Sequence, residues 1–345
     1  MAEVALYRKY RPQDFDEVLG QEHVTSVLKD AVERGAFVHA FLFSGSRGTG
    51  KTSIARILAK KIGCSENDIY EIDAASNRGI DDVRELREAI HSLPFDSPYK
   101  VYIVDEMHML TKEAFNALLK TLEEPPAHTV FVLATTEPEK LPDTIASRCQ
   151  SFSFKKPSHQ LLKQVITNIA ESEGFKIEQA STELIALLGE GSFRDAQGVL
   201  QKVLSRRSSK KSIPHEEVAN IVGAPKEAIV NEFLSGIEEK DLGKSLSALN
   251  SAIEDNIDVE FFLKLVLRKM RAVILLRYAS SMEERFKESF SGEDLEFIKS
   301  LSKSNELGIN SIVLKELLEA HSNMAYSYIP QLPIELALVK VLKRE

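Results

Sequence analysis

Residues 41–52, reading FLFSGSRGTGKT, decide how the rest of the chain is read. Gly45 is followed by Ser46, Arg47, Gly48 and Thr49, then by Gly50, Lys51 and Thr52, which is the spacing of a phosphate-binding loop. The apolar run ahead of it reads as a buried strand, and residues 53–61, from Ser53 onward, read as a helix; such a loop requires that context. Glycines let the backbone turn tightly enough for its N–H groups to face phosphates, and the helix N-terminus adds positive potential. In this frame Lys51 reaches the β and γ phosphates and the Thr52 hydroxyl ligates Mg²⁺. Residues 45–53 all belong to the expected nucleotide contact. A chance match in a glycine-bearing turn is the competing reading, and the strand and helix flanks argue against it.

The chain has 345 residues, room for two or three domains, and its 43% hydrophobic content suits globular cores. No apolar run approaches the roughly 20 residues that span a bilayer, and the N-terminal MAEVALYRKYRP lacks the apolar core of a signal peptide. A cytoplasmic protein without membrane contact is expected. Two cysteines, Cys64 and Cys149, lie too far apart to build a disulfide framework or a four-cysteine zinc site. A net charge of −8 excludes coating nucleic acid through bulk charge, so any DNA contact must use local groups on one surface.

Ahead of the loop, residues 6–24 mix aromatic, basic and proline residues before a helix that begins near Gln21. One reading is a packed N-terminal extension. The other has Tyr10, Arg11 and Pro12, with the turn from Val18 to Gly20, lining the adenine and ribose end of a nucleotide. After the loop helix, residues 69–72 form a short β-rich run, and Ile80, Val83, Leu86 and Ile90 then repeat at helical spacing. Ser76, Asn77 and Arg78 sit just before that helix, either as an ordinary N-cap or as a grip on a nucleic-acid phosphate.

The run 100-KVYIVDEMHML-110 is a strand buried on both faces that ends in Asp105 and Glu106, at the edge where ligands bind a parallel sheet. Two acids at a strand end are common, but after a phosphate loop they form a Walker B pair. Asp105 would hold Mg²⁺ through water and Glu106 would orient the attacking water. His108 reads as a packing or hydrogen-bonding residue of the turn, because no second ligand lies at a suitable spacing. A helix over 112–124 must stop at Pro125-Pro126. Another apolar strand, 129–134, carries Thr135 and Thr136 at its tip. A strand-end threonine there is either simply satisfied or placed to touch the γ-phosphate. Residues 141–154 form a short helix and a last strand with Arg148 between them. Arg148 does not suit a core and is a candidate finger for a neighbour's site.

From residue 155 onward strands are expected to disappear. Helical patterns over 160–173, 182–189, 193–206 and 215–221 suggest a small lid, with Arg194 at the start of a helix facing the nucleotide. The basic stretch 206–211 reads as a solvated loop. Past residues 223–225 the chain is all helical, and its strongly apolar segment 261–278 reads as a domain core or an oligomer interface.

In order, YRKYRP, SGSRGTGKTS, EIDAASNRGID, VYIVDEMHML, FNALLKTLEEPP, LATTEPEKLP, SRCQSF and GSFRDA resemble the bacterial clamp-loader ATPase family, the γ/τ subunits of DNA polymerase III, over essentially the whole chain. The resemblance implies an α/β AAA+ P-loop fold with a five-stranded parallel sheet over 1–157, a three-helix lid over 158–222, and an all-α collar over 223–345 through which copies of the chain form a ring. It implies ATP and Mg²⁺ at Lys51, Thr52, Asp105 and Glu106. Thr136 becomes a first sensor, Arg194 a second, and Arg148 a finger acting in trans. The segment from Ser76 to Arg78 would approach DNA. Implied partners are δ-type and δ′-type loader subunits, the sliding clamp and primer-template DNA; the implied work is ATP-driven loading of that clamp, without a polymerase site in this chain.

Two departures from the family pattern matter. Only Cys64 stands where members carry a four-cysteine zinc module, and Ile69 follows it within five residues, so no zinc is expected. The chain also stops near the end of the collar, so the longer τ-type tail is expected to be missing. Rival readings are a stator similar to the δ′ subunit, opposed by the intact Lys51, Thr52, Asp105 and Glu106 set, and a DNA-translocating helicase motor, opposed by a helical C-terminal region without hairpin signals.

Overall fold

The computed structural model describes residues 4–76, 89–206, 212–287, 290 and 292–343. Asn77 and Arg78, most of the helical repeat after them, and residues 207–211 lie outside the described residues.

Five strands, β1 (Ala40–Ser44), β2 (Ile69–Asp73), β3 (Lys100–Asp105), β4 (Thr129–Thr135) and β5 (Gln150–Ser153), form one sheet in the order β2-β3-β4-β1-β5. Every neighbouring pair is parallel, with Ser44 opposite Thr135 and Asp73 opposite Asp105. The C-terminal ends of the strands therefore share one edge of the sheet. Their period-2 alternation feeds two cores. Phe41, Phe43, Val101, Ile103, Val130 and Val132 face one, whereas Leu42, Tyr102, Val104, Phe131 and Leu133 face the other. Both faces are dry, which is why these strands read as nearly continuous apolar runs. Each fully buried side chain of this size contributes about 1.5–3 kcal/mol, offset by the entropy of ordering it.

The first core is closed by the helices Glu22–Glu33 and Lys51–Lys61, which contribute Val24, Leu28, Ile54 and Leu58. The second is closed by Lys112–Glu123 through Phe115, Leu118 and Leu122, with Ile145 from the short helix Asp143–Ala146. Thr111 caps Lys112–Glu123 by accepting the Ala114 N–H, and the helix ends before Pro125 as expected.

Two compact units divide the chain: residues 1–173 with 185–201, and residues 174–184 with 202–345. The expected lid region 158–222 contributes segments to both. The helices His159–Ser172, Gln179–Leu188, Phe193–Ser205 and His215–Val222 match the expected pattern to within a few residues. One expectation is corrected. Strands do not end at residue 155, because β6 (Lys176–Ile177) pairs in parallel with β7 (Ser212–Ile213). A two-residue strand is too short to carry an alternation signal.

Within the second unit, every regular element described beyond residue 222 is a helix. The helix Val259–Tyr278 buries Phe262, Leu263, Val266, Met270 and Val273 among Phe233, Leu249, Ile298 and Leu317, so its apolar face is a domain core. Buried ions there are paired. Arg277 meets Glu238 at 3.0 Å and also donates to the Leu301 and Ile309 carbonyls, while Lys269 meets Asp294 and Asn231. No helix among the described residues is long and apolar enough to cross a membrane.

Candidate functional site

β1 delivers the chain into the loop 45–50, which the helix Lys51–Lys61 leaves with Gly50 as its N-cap. Gly45, Gly48 and Gly50 have φ of 144°, 71° and 101°, a region that side chains rarely enter. Gly48 has a second constraint, because a Cβ there would lie 1.9 Å from Ser192 Oγ. Ser192 and Phe193 open the helix that carries Arg194, and the Phe193 N–H donates to the Gly48 carbonyl at 3.0 Å. The missing side chain thus lets this helix start rest on the loop. Ser46, Thr52 and Ser53 are half-buried, Arg47 is exposed, and Thr49 is buried with its hydroxyl on the Ser46 carbonyl.

Lys51 is 5% exposed, and its ammonium donates to the Gly45 and Ser46 carbonyls at 2.6 and 3.0 Å. Burial pushes its pKa down, while the charges of Glu106 and Asp105 act in the opposite sense. The Thr52 hydroxyl donates to Asp105 Oδ2 at 2.9 Å, bringing together the two residues read as metal ligands from 53 positions apart. A hydroxyl and a carboxylate beside a phosphate loop are hard oxygen donors of the kind Mg²⁺ takes.

Glu106 follows β3 with φ 49° and ψ 43°, an unusual conformation for a residue with a side chain. The Met109 N–H on its carbonyl at 2.9 Å and its own N–H on Asp105 Oδ1 at 3.0 Å hold the turn. Its carboxylate accepts from the Thr136 hydroxyl at 2.8 Å. Thr135 takes a separate partner, because its Oγ1 accepts the Glu137 N–H and lies 3.0 Å from His108 Nδ1. With the Thr135 proton on Nδ1, Nε2–H of His108 faces Glu137 Oε2 at 2.9 Å. His108 thereby ties the turn after β3 to the segment after β4.

The N-terminal residues are spread along the first unit. Tyr10 donates its hydroxyl to Glu173 at 2.7 Å; burial and that carboxylate raise its pKa. Burial also lowers the pKa of the half-buried Arg11, while Pro12 and Val18 are half-buried. Gly20 has φ 75°, and a Cβ there would meet Leu161 at 2.6 Å. Arg194 is exposed and lies over the Tyr7 ring, 4.9 Å from its centroid. Ser76 is exposed and binds Asp73 through its hydroxyl at 2.8 Å, whereas Asn77 and Arg78 fall outside the described residues. Arg148 stands at the edge of the sheet next to Cys149, whose thiol burial pushes up to about 11. Cys64 is buried with its thiol on the Tyr99 carbonyl.

Sequence reasoning missed Gln21. Fully buried, its amide donates to the Lys155 carbonyl at 2.7 Å and accepts the Lys155 N–H at 3.1 Å, with the Thr49 carbonyl 3.5 Å away. It fastens the loop to the segment after β5. Its only signal was a position at a helix start, which says nothing about burial. Tyr7 and Ser192 were missed for the same reason, since their partners lie far along the chain.

Residues 20–78 and 68–158 match the family model described as DNA polymerase III, delta subunit. The chain is 36% identical over 365 residues to DNA polymerase III subunit tau of Bacillus subtilis, covering 99% of this chain and 63% of that protein. It is 38% identical over 297 residues to subunit gamma/tau of Mycobacterium tuberculosis H37Rv, covering 79% and 51%. With subunit gamma of Buchnera aphidicola it shares 36% over 299 residues, covering 81% of this chain and 80% of that one. The chain thus spans 63% and 51% of the length of the first two relatives. Among solved structures, the Thermotoga maritima RuvB Holliday junction branch migration motor superposes with a TM-score of 0.53 at 23% identity, over 73% of this chain and 87% of that one, a likeness of fold.

Proposed function

Because the chain belongs to the bacterial DNA polymerase III gamma/tau family, we propose that it is an ATP-hydrolysing subunit of a replicative clamp loader that opens a sliding clamp and loads it onto primed DNA. The observation that carries this reading is convergence. Lys51 with Thr52, Asp105 with Glu106, and Thr136 meet at the C-terminal edge of β1, β3 and β4, joined by the Thr52–Asp105 and Thr136–Glu106 hydrogen bonds of 2.9 and 2.8 Å. A stator subunit would have no use for this set.

In the proposed mechanism, the loop N–H groups and Lys51 bind the β and γ phosphates of ATP. Thr52 and Asp105 would hold Mg²⁺, which when bound neutralises charge on the phosphates. Glu106 orients and polarises the attacking water, and Thr136 senses the γ-phosphate. Arg194 acts as a second sensor from the helix resting on Gly48. Tyr10, Arg11, Pro12, Val18 and Gly20 form the adenine side. Arg148 reaches the phosphate of the neighbouring subunit, so ring geometry and nucleotide state report on each other. Ser76, with Asn77 and Arg78, approaches the DNA backbone. Residues 1–157, 158–222 and 223–345 act as motor, lid and collar, and the collar joins copies of the chain and δ-type and δ′-type subunits. No zinc takes part.

Mixing Lys51→Ala and Arg148→Ala chains in the assembled loader tests this reading. Each variant alone should be nearly inactive, and the mixture should regain DNA-stimulated hydrolysis, because some interfaces then pair an intact Lys51 with an intact Arg148. Full activity of Arg148→Ala alone would refute the shared site.

A further inference from the structure

Arg148 does not project freely from the sheet edge. Its Nη2 donates to Glu123 Oε1 at 2.5 Å and its Nη1 to the Thr144 carbonyl at 2.7 Å. Glu123 is the last residue of its helix, and the prolines at 125 and 126 prevent that helix from continuing past it. A carboxylate and a carbonyl therefore grip two corners of one guanidinium. The Arg148 side chain nevertheless keeps 34% of its surface exposed, and the guanidinium carries five N–H donors in a rigid fork, so donors remain for another acceptor. An exposed pair of this kind contributes little to folding.

We infer that Glu123 is a positioning residue for Arg148, holding the guanidinium in one place so that an incoming phosphate meets a preformed fork. A free arginine samples many rotamers, and ordering it at the moment of reaction would cost entropy that this contact has already removed. The inference rests on the reading of Arg148 as the finger that completes a neighbour's site.

The test uses Glu123→Ala, Glu123→Gln and Glu123→Asp chains assembled with their partner subunits, beside Arg148→Ala. DNA-stimulated kcat should fall about fivefold in the Ala and Gln variants, with KM for ATP within about twofold of the unmodified value and Asp retaining more activity. A melting curve for each variant reports folding. Mixing assigns the side of the interface: Lys51→Ala should restore Glu123→Ala, and Arg148→Ala should not. If Glu123→Ala hydrolyses ATP as fast as or faster than the unmodified chain while Arg148→Ala is inactive, the positioning role is wrong and the finger stands. If Glu123→Ala is restored by Arg148→Ala instead, Glu123 serves its own chain's site and the inference falls. Unchanged activity in Arg148→Ala removes the finger itself.

Discussion

Thr136 donates its hydroxyl to Glu106 Oε2 at 2.8 Å, across the gap between the ends of β4 and β3. The residue read as a γ-phosphate sensor thus donates its one hydroxyl proton to the residue read as orienting the attacking water. A γ-phosphate that took the Thr136 hydroxyl would release the Glu106 carboxylate to bind water. Thr136→Val keeps the shape and removes the donor. We predict that it lowers kcat roughly tenfold or more while changing ATP affinity much less, measured by steady-state hydrolysis beside equilibrium binding. Equal losses in binding and turnover would place Thr136 in ground-state binding alone.

His108 joins two segments through Thr135 Oγ1 at 3.0 Å and Glu137 Oε2 at 2.9 Å, with Glu106 Oε2 3.5 Å from its Nδ1. In His108→Ala the buried Thr135 hydroxyl loses its imidazole hydrogen-bond partner. A stability loss of about 1–2 kcal/mol is expected, with turnover several-fold lower and ATP binding retained. Calorimetry with a hydrolysis assay checks both; an unchanged kcat would confine His108 to a structural role.

The Gly48 site predicts a repairable defect. Gly48→Ala faces a positive φ of 71° and a Cβ 1.9 Å from Ser192 Oγ. The backbone term costs about 1–2 kcal/mol, and the collision pushes the helix that starts at Phe193 off the loop. ATP affinity should fall about tenfold or more. Adding Ser192→Gly should recover part of it, because that change removes the collision and leaves the backbone strain and the smaller loss of the Ser192 hydroxyl that accepts the Asp195 N–H at 3.1 Å. No recovery in the double variant would mean that the helix start does not support nucleotide binding.

Asp68 predicts an acid-sensitive element. Burial alone would raise its carboxyl, but the Phe95 N–H, the Ser97 hydroxyl, the Asp96 N–H and the Ser65 hydroxyl outweigh this and hold it well below the usual carboxylate range. A folded pKa depressed below the unfolded value of about 3.9 gives stability that is fully present above that pH and is lost as pH falls towards the folded pKa. Melting temperature should therefore decline more steeply below about pH 4 in the unmodified chain than in Asp68→Asn. At neutral pH that variant should be less stable by on the order of 2 kcal/mol. Parallel pH curves would exclude Asp68 as the group responsible.

Tyr102 makes the opposite prediction. Its ring stacks on Tyr70 at 5.1 Å and Phe131 at 5.8 Å, but its buried hydroxyl has no hydrogen-bond partner among the described residues. Burial, with the nearby Tyr70 and Asp68 charges, pushes its pKa far up. Tyr102→Phe should be neutral or stabilise by up to about 1 kcal/mol, read from denaturant midpoints. A clear loss of stability would mean that the hydroxyl is satisfied.

The elements that build the sheet and its phosphate loop were legible because each carries a local signal. The loop 45–52 needs glycines at set positions, and a strand buried on both faces reads as an apolar run whether or not its neighbours are known. Lys51, Thr52, Asp105 and Glu106 could be named from such cues, whereas the strand tip left Thr135 and Thr136 both open and only the family resemblance singled out Thr136. The β6–β7 pair was missed because two residues hold no period, and Gln21 because a polar residue at a helix start normally faces water.

The amino-acid sequence alone determined the five sheet strands and the longer helices, their order, the phosphate loop and the acids that end β3, since these depend on neighbours along the chain. Partnership was decided only by the tertiary structure. Thr52 meets Asp105 because β1 lies beside β4 and β4 beside β3, although β2 and β3 follow β1 in the chain. The same crossovers set Thr136 on Glu106, and packing of the helix Lys112–Glu123 under the sheet sets Arg148 on Glu123. Strand order is chosen by the burial of whole faces, a sum over dozens of side chains, and no short stretch of the chain contains it.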